Sequence, residues 1–265
     1  MVKIAAQLDD THDTERRGRE LPPVRDDYRR HYGRWHDDTD QHFEQMADGY
    51  ERKLSGLLGD MRGGSALEIG CGTGFCLGAL RRMGLDRVEG IDSDAGQVEA
   101  SRSRSLPAWQ VPIGEFQAYS EANSAAFDYV LMFDVLEHVP GEARLDFLRE
   151  VWSMLKPGGR LVCQVPNANS IVASRYRYID ATHHVSFTEA SLDFELHRAG
   201  FDDIVISEAD PIRRPWWRRP REVMCWGLHK TMRYAIRHCY ALEIGARDAW
   251  RMPLTPNILG MAVRR

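Results

Sequence analysis

The sequence predicts an α/β fold, a doubly wound sheet of seven strands with helices on both faces, and three observations carry that expectation. Residues Ser65 to Gly74, S-A-L-E-I-G-C-G-T-G, pass from a short apolar run into glycines at alternate positions, Gly70, Gly72 and Gly74, and then into a helical stretch, Phe75 to Met83. Glycine is needed where the backbone takes positive φ or a ligand lies flat against it, as after the first strand of such a sheet. Tyr129 to Phe133 is continuously apolar, as a strand covered on both faces requires. Strand-like and helix-like runs alternate through most of the remaining chain.

The chain has 265 residues, enough for one large domain or one domain with appendages. Its 43% hydrophobic and 28% charged content is that of a soluble globular protein, and a net charge near -4 argues against a nucleic-acid partner. The five cysteines, Cys71, Cys76, Cys163, Cys225 and Cys239, form an odd set without C-x-x-C spacing. They read as reduced thiols with no zinc site implied. The opening M-V-K-I-A-A-Q-L-D-D is too short in apolar residues for a signal peptide, and no run reaches membrane-spanning length. The expectation is a cytoplasmic protein.

Taken in order, residues 1–39 are an arm rich in Asp, Glu and Arg, flexible or helical. Within and after it, Tyr28, His31, Tyr32, Trp35, His36, His42, Phe43, Met46 and Tyr50 recur at roughly helical spacing and suit an amphipathic helix packed on the domain. Arg87 to Ile91 is the second strand, and Asp92 at its tip is placed to accept ribose hydroxyls. Ser93 follows, and Asp94 suits an N-cap for a helix over Ala95 to Ser103. Trp109 to Ile113 is a weakly marked third strand, followed by Gly114, Glu115 and Phe116. Ligands in open α/β sheets bind beyond the carboxyl ends of the strands, so Asp134, Val135, Glu137 and His138, after the fourth strand, point at the site. Gly141 to Leu155 is a helix stopped by Lys156-Pro157-Gly158-Gly159, and Leu161 to Val165 is the fifth strand. A long polar loop carrying Asp180, His183 and His184 then leads to a helix capped by Thr188. Asp203 to Ser207 and Ile258 to Val263 are the sixth and seventh strands.

Residues 209–256 intervene between those strands and hold four of the seven tryptophans, Trp216, Trp217, Trp226 and Trp250. Glu222 to Ile244 reads as an amphipathic helix, with Leu228, Met232, Ala235, Cys239 and Leu242 along one stripe and Lys230, Arg233 and Arg237 along another. Arginine beside tryptophan over 213–240 suits peripheral contact with an anionic membrane face or a phosphorylated acceptor. The other reading is a helix packed on the sheet edge with a solvated basic face. The expected division is thus an arm over 1–39, a main domain over 40–208 and 257–265, and an insertion over 209–256.

The glycines run G-x-G-x-G, with Phe75 where a dinucleotide fingerprint would place its third glycine. Glu68, two residues earlier, would repel a phosphate and suits a cationic ligand. E-I-G-C-G-T-G, together with F-D-Y-V-L-M-F-D-V-L-E-H-V-P and L-K-P-G-G before a strand, resembles the class I S-adenosylmethionine-dependent methyltransferases. The resemblance implies a Rossmann-like methyltransferase fold, mostly parallel, with its last strand antiparallel between the fifth and sixth. It also implies S-adenosyl-L-methionine as cofactor, contacted by Glu68, Gly70, Cys71, Gly72, Gly74, Asp92, Ser93, Glu115, Phe116, Asp134 and Val135, with the N-terminal aromatics as a lid. The combination D-x-T-H, F-T and A-G-F resembles a subset associated with bacterial surface glycans. There the histidine of the T-H pair sits near the acceptor; here it is either His183 or His184, with Asp180 to orient it.

An alcohol acceptor must lose a proton during attack, and imidazole, with a pKa of about 6.5, suits that task. His138, His183 and His184 are therefore the candidate bases. The reaction expected is O-methylation of a hydroxyl, foremost a sugar of a glycan or of its lipid- or nucleotide-linked precursor. A quinone-type small-molecule O-methyltransferase is the alternative. A divalent ion on Asp134, Glu137 and a histidine fits that alternative too, but the spacing is not diagnostic and no metal is expected. A cofactor-binding module without turnover is opposed by the intact Glu68, Gly70, Gly72 and Asp92, and an NAD-dependent oxidoreductase by Phe75 and Glu68.

Overall fold

Alternation along the central strands divides their side chains between two apolar layers. Leu67 and Ile69, Val130 and Met132, and Leu161 and Cys163 enter one layer, whereas Ala66, Leu131, Phe133 and Val162 enter the other. The computed structural model describes residues 39–209 and 220–265. Within them β1 (Ser65–Ile69), β2 (Arg87–Asp92), β3 (Ala108–Gln110), β4 (Phe127–Phe133), β5 (Leu155–Pro166), β6 (Asp202–Ala209) and β7 (Asn257–Val263) form one sheet in the order β3-β2-β1-β4-β5-β7-β6. β7 runs antiparallel to both β5 and β6, and the remaining pairings are parallel. This is the expected fold, and the chain reverses strand order between β1 and β4, where such sheets bind ligands.

Helices cover both faces. α1 (Asp40–Leu58), α2 (Phe75–Arg82) and α3 (Ala95–Ser103) supply Phe43, Leu54, Leu77 and Val98 to one layer. After the short α4 (Phe116–Ala122), α5 (Gly141–Met154) and α7 (Glu189–Arg198) supply Leu148, Val151, Leu192 and Leu196 to the other. A six-residue helix, α6 (Ala173–Tyr178), lies in the loop after β5. Thr39 and Thr188 cap α1 and α7 through their side chains, and Asp94 caps α3.

Three local expectations are corrected. β3 ends at Gln110, not at residue 113, because Pro112 cannot donate to a ladder and a 3-10 turn, Ile113–Glu115, follows it. Lys156-Pro157-Gly158-Gly159 does not cap a helix: α5 stops at Met154 and the stretch belongs to β5. Leu155 pairs with Phe127, and the Gly158 N–H donates to the Arg264 carbonyl at 2.6 Å, so two neighbours hold the stretch in the sheet while it bends at Gly158, φ 78°.

The third correction concerns α8 (Pro220–Ile244), which precedes the short α9 (Ala246–Arg251). Its apolar stripe, Leu228, Met232, Ala235, Cys239 and Leu242, is exposed, while Arg233 and Arg237, expected on a solvated face, turn inward. Arg237 donates to Glu208 Oε1 at 2.9 Å and to the Met252 carbonyl at 3.0 Å, and Arg233 lies 3.7 Å from Glu208 Oε2. Charge-assisted bonds to one carboxylate at the end of β6 orient the helix. Residues Tyr28 to His36 of the expected lid, and 213–219 of the expected membrane contact, lie outside the described residues. Among the described residues no helix is long and apolar enough to cross a membrane.

Candidate functional site

β1 is buried along its whole length and ends in a turn suspended from β2: the N–H groups of Gly70 and Cys71 both donate to the Ile91 carbonyl, at 2.8 and 3.0 Å. Gly70, Gly72 and Gly74 have φ of 71°, 52° and 89°. Their reasons differ. A Cβ on Gly70 would stand 2.5 Å from Val135 Cγ2, and one on Gly74 would stand 2.4 Å from Leu106 Cδ1. On Gly72 the nearest atom is Gln97 Oε1 at 4.0 Å. The outer glycines admit the turn into its packing, and the middle one leaves main chain bare.

Two acidic groups meet at this turn. Asp92 accepts the Gly72 N–H on Oδ2 and the Asp94 N–H on Oδ1, each at 2.9 Å. A carboxylate has about four lone-pair positions, so room remains for further donors. Burial pushes the Asp92 pKa up against the pull of those N–H groups. Glu68 is 4% exposed and its Oε2 has no hydrogen-bond partner. Burial drives its pKa well above the ordinary value, with the Cys76 thiol opposing, Asp92 adding and the Leu77 N–H opposing.

The other expected cofactor contacts fall differently. The Cys71 side chain is turned into the sheet against Gly90, leaving its main chain to the turn. Ser93 is exposed, and its carbonyl accepts from Gln110 Nε2 at 3.2 Å. Glu115 is exposed in the 3-10 turn, and Phe116 is taken up by stacking on Phe147 of α5, centroids 4.9 Å apart. From α1, His42 and Phe43 pack on Phe75, and Tyr50 meets Phe133 edge-on at 5.0 Å.

Beyond β4 the chain turns sharply. Asp134 has φ of 57°, a left-handed conformation that aspartate tolerates better than most residues. Its carboxylate accepts from Gln164 Nε2 at 3.2 and 3.3 Å and from Asn257 Nδ2 at 3.3 Å, and Gln164 Oε1 accepts from Lys53 Nζ at 2.8 Å. Burial raises the Asp134 pKa, opposed by Gln164 and then Lys53. Sequence reasoning missed Gln164, Asn257 and Lys53, which lie on three separate elements, and no local pattern marks them.

Next comes a 3-10 turn, Leu136–His138, which points Glu137 inward until it is 0% exposed. Neither of its carboxylate oxygens has a hydrogen-bond partner. Burial first, then the Asp134 charge, drives its pKa well above the ordinary range. The loop after α6 closes over this turn, where the His184 N–H donates to the Glu137 carbonyl at 2.8 Å. It carries His183 to the carboxylate, Nε2 lying 3.9 Å from Glu137 Oε1, and packs it edge-on against His138 at 4.6 Å. The side chain of His184 stays exposed, and its carbonyl accepts from Arg177. Of the two candidate histidines, the fold brings His183 to His138.

Both imidazoles are held from behind. His183 Nδ1 lies 2.9 Å from the Tyr176 carbonyl, which can only accept, so that nitrogen carries the hydrogen. His138 Nδ1 lies 2.8 Å from Thr182 Oγ1, whose own hydrogen goes to Asp180 Oδ1 at 2.7 Å, so His138 also donates from Nδ1. Asp180 is buried and orients His138 through Thr182 rather than His183 directly. Burial, then the neighbouring His183, lowers the His138 pKa to about 4. Each ring thus keeps a free lone pair on Nε2.

The model of a family described as "Methyltransferase domain" matches residues 40–206. The chain is 29% identical over 168 residues to a trans-aconitate 2-methyltransferase of Deinococcus radiodurans, a match covering 63% of this chain and 59% of that protein. It is 32% identical over 175 residues to a ubiquinone biosynthesis O-methyltransferase of Azorhizobium caulinodans, covering 60% of this chain and 68% of the relative. In fold it is similar to a SAM-dependent methyltransferase of Archaeoglobus fulgidus, with a TM-score of 0.58 at 18% identity, covering 82% of this chain and 94% of the other. With that match across the sheet and the glycine turn, the chain belongs to the class I S-adenosylmethionine-dependent methyltransferases.

Proposed function

We propose that this enzyme methylates a hydroxyl group of a small-molecule acceptor, and that the acceptor meets the Glu137–His138–His183 cluster. The glycine turn fits S-adenosylmethionine. Main chain is bare over Gly72, and the acceptor oxygens of Glu68 and Asp92 stand where a dinucleotide would need room for phosphates. Glu68, Asp92 and the backbone from Gly70 to Gly74 would hold the cofactor, with Asp134 and Val135 at the rim. When bound, it supplies a methyl group on a positively charged sulfur. The protein has then to hold the acceptor in line and take its proton.

The observation that carries the reading is the pair of Nε2 lone pairs beyond the end of β4, fixed by the Tyr176 carbonyl and by Thr182. His183 is the better base. Its Nε2 faces Glu137 Oε1 at 3.9 Å and its Nδ1 is fixed by a carbonyl, whereas His138 is held neutral by its surroundings. A small molecule is favoured over the sugar suggested by the D-x-T-H loop, because the similar proteins are named for ubiquinone biosynthesis and for trans-aconitate.

The test is methyl transfer from labelled cofactor to phenols, small carboxylic acids and nucleotide sugars, with His183→Ala and His184→Ala alongside. General base catalysis contributes about 10²–10⁴-fold. His183→Ala is expected to lose turnover on that scale while still binding S-adenosylhomocysteine, and His184→Ala to stay within about threefold of the parent. Equal turnover in the two variants removes the base, and transfer to sugars alone restores the glycan reading.

A further inference from the structure

Glu137 poses a problem that protein contacts leave unsolved. A carboxyl group removed from water needs a partner for each oxygen, and an oxygen left unsatisfied forfeits its hydration with nothing in return. Glu137 is fully buried with both oxygens unpartnered. Protonation alone does not answer this, because the new O–H would need an acceptor: neither oxygen has a partner within hydrogen-bond reach, and His183 Nε2 stands 3.9 Å from Oε1. Beside the carboxylate stands His183 Nε2, with the ring of His138 packed edge-on against it.

We propose that Glu137, His138 and His183 form a binding site for one divalent first-row transition ion of zinc type. One ligand atom from each lies within 4.8 Å of the other two. Two ligands on opposite sides of such an ion stand at most about 4.2 Å apart, so closing on it takes side-chain movement of about 1 Å. Two imidazole nitrogens and one carboxylate oxygen are a donor set that zinc and its neighbours accept, with coordination positions left open; magnesium and calcium call for oxygen throughout. The groups behind the ligands match as well. A metal-binding histidine donates its other N–H to a carbonyl or carboxylate, which fixes ring and tautomer. His183 does so to the Tyr176 carbonyl, and His138 does so to Thr182, which passes the contact on to the buried Asp180. Asp134, which stood with Glu137 and a histidine in the sequence's undiagnostic ion set, is engaged by Gln164 and Asn257 instead.

The role of the ion rests on the O-methylation reading; the site itself does not. An acceptor hydroxyl on an open coordination position would have its pKa lowered toward neutrality, as that of metal-bound water is, and would release its proton to solvent, with His183 a ligand and not the base.

Chelator-treated full-length protein is titrated with cobalt(II) and followed by visible absorption and calorimetry, then displaced with zinc. One equivalent is expected to bind with the absorption of a low-coordinate cobalt centre. Glu137→Gln and His183→Asn are each expected to weaken binding at least about 100-fold, and Thr182→Val, which removes only the hydroxyl behind His138, about 10–100-fold. His184→Asn is expected to bind as the parent does. Binding of S-adenosylhomocysteine certifies the fold of each variant, and should Glu137→Gln fail to fold, His183→Asn and Thr182→Val carry the test. A flat titration of protein that binds S-adenosylhomocysteine overturns the site, and so does cobalt affinity indifferent to His183 or dependent on His184. Cobalt bound by these ligands in a protein that methylates no hydroxyl keeps the site and removes the O-methylation reading.

Discussion

Glu68 and Glu137 are both buried carboxylates near the carboxyl ends of neighbouring strands, yet they are surrounded in opposite ways. Around Glu68 everything is near in sequence: the Cys76 thiol and Leu77 N–H of the following helix, and Asp92, which ties β2 to Gly72 across 20 residues. Around Glu137 the decisive groups arrive from a distant loop, Thr182 reaching His138 across 44 residues. The first half of the site is a continuous strand, turn and helix that folds around its own ligand space. The second is assembled from two loops, and its central carboxylate is left without a hydrogen bond. On the proposed assignment, cofactor binding and acceptor chemistry rest on separable parts of the chain, and mutations should affect them separately.

The largest separation is expected at the glycine turn. Gly74→Val would drive a side chain into Leu106 and Ser101 at a left-handed φ, and strain of this kind costs about 1–3 kcal/mol even before the overlap. The affinity for S-adenosylhomocysteine should fall by about 100-fold or more, read by calorimetry, while cobalt binding at the Glu137 cluster persists in the folded fraction. Loss of both together would show that the halves are one cooperative unit.

A smaller effect is expected at Asp92→Asn. The amide keeps the size of the side chain but turns one acceptor oxygen into a donor facing the N–H of Gly72 or Asp94. Cofactor affinity should drop by about tenfold to 100-fold, on the scale of one or two lost charge-assisted bonds. Unchanged affinity would show that Asp92 only holds the turn together.

Gln164→Leu tests the link between the halves, since it removes the contact joining Lys53 of α1 to Asp134. Two buried hydrogen bonds lost predict a fall in stability of about 1–3 kcal/mol by denaturant titration. Turnover should fall further than cofactor affinity if Asp134 belongs with the acceptor side.

The smallest effect lies at the opposite end of the sheet. Asp128 accepts from the Ser65 N–H and hydroxyl and from Lys156, at 2.7–2.8 Å. Partial burial works to raise its pKa, but Lys156 and Ser65 outweigh that and hold the carboxyl below its ordinary range. A carboxyl with a depressed folded pKa adds stability that is present above its unfolded value and disappears as pH falls through the folded one. Asp128→Ala should therefore cost about 1 kcal/mol at pH 7, the exposed part of the ion pair adding little, and the difference from the parent should begin to shrink only as pH falls below about 4, toward the depressed folded value. Turnover should not change.

Much of the fold was legible because it depends on local chemistry. The G-x-G-x-G turn, the apolar run of β4 and the caps at Asp94 and Thr188 are set by residues within a few positions of one another. The pairing of Lys156 to Gly159 within β5 was not legible, because the same proline and glycines end a helix as readily as they bend a strand, and Arg264 and Phe127 decide between the two. Nor was the orientation of α8. Periodicity announced two faces but not which turns inward, and a single carboxylate, Glu208, drew the basic one.

The sequence by itself determined the order of strands and helices, the glycine turn and the acid at the tip of β2, since each follows from backbone sterics and the alternation of apolar residues. Only the tertiary structure decided between His183 and His184, which are equivalent in chemistry and adjacent in the chain. Successive residues of a loop can point opposite ways. The Tyr176 carbonyl and the buried face of Glu137 receive one ring, and the hydrogen bonds of the other residue's main chain leave its ring in water.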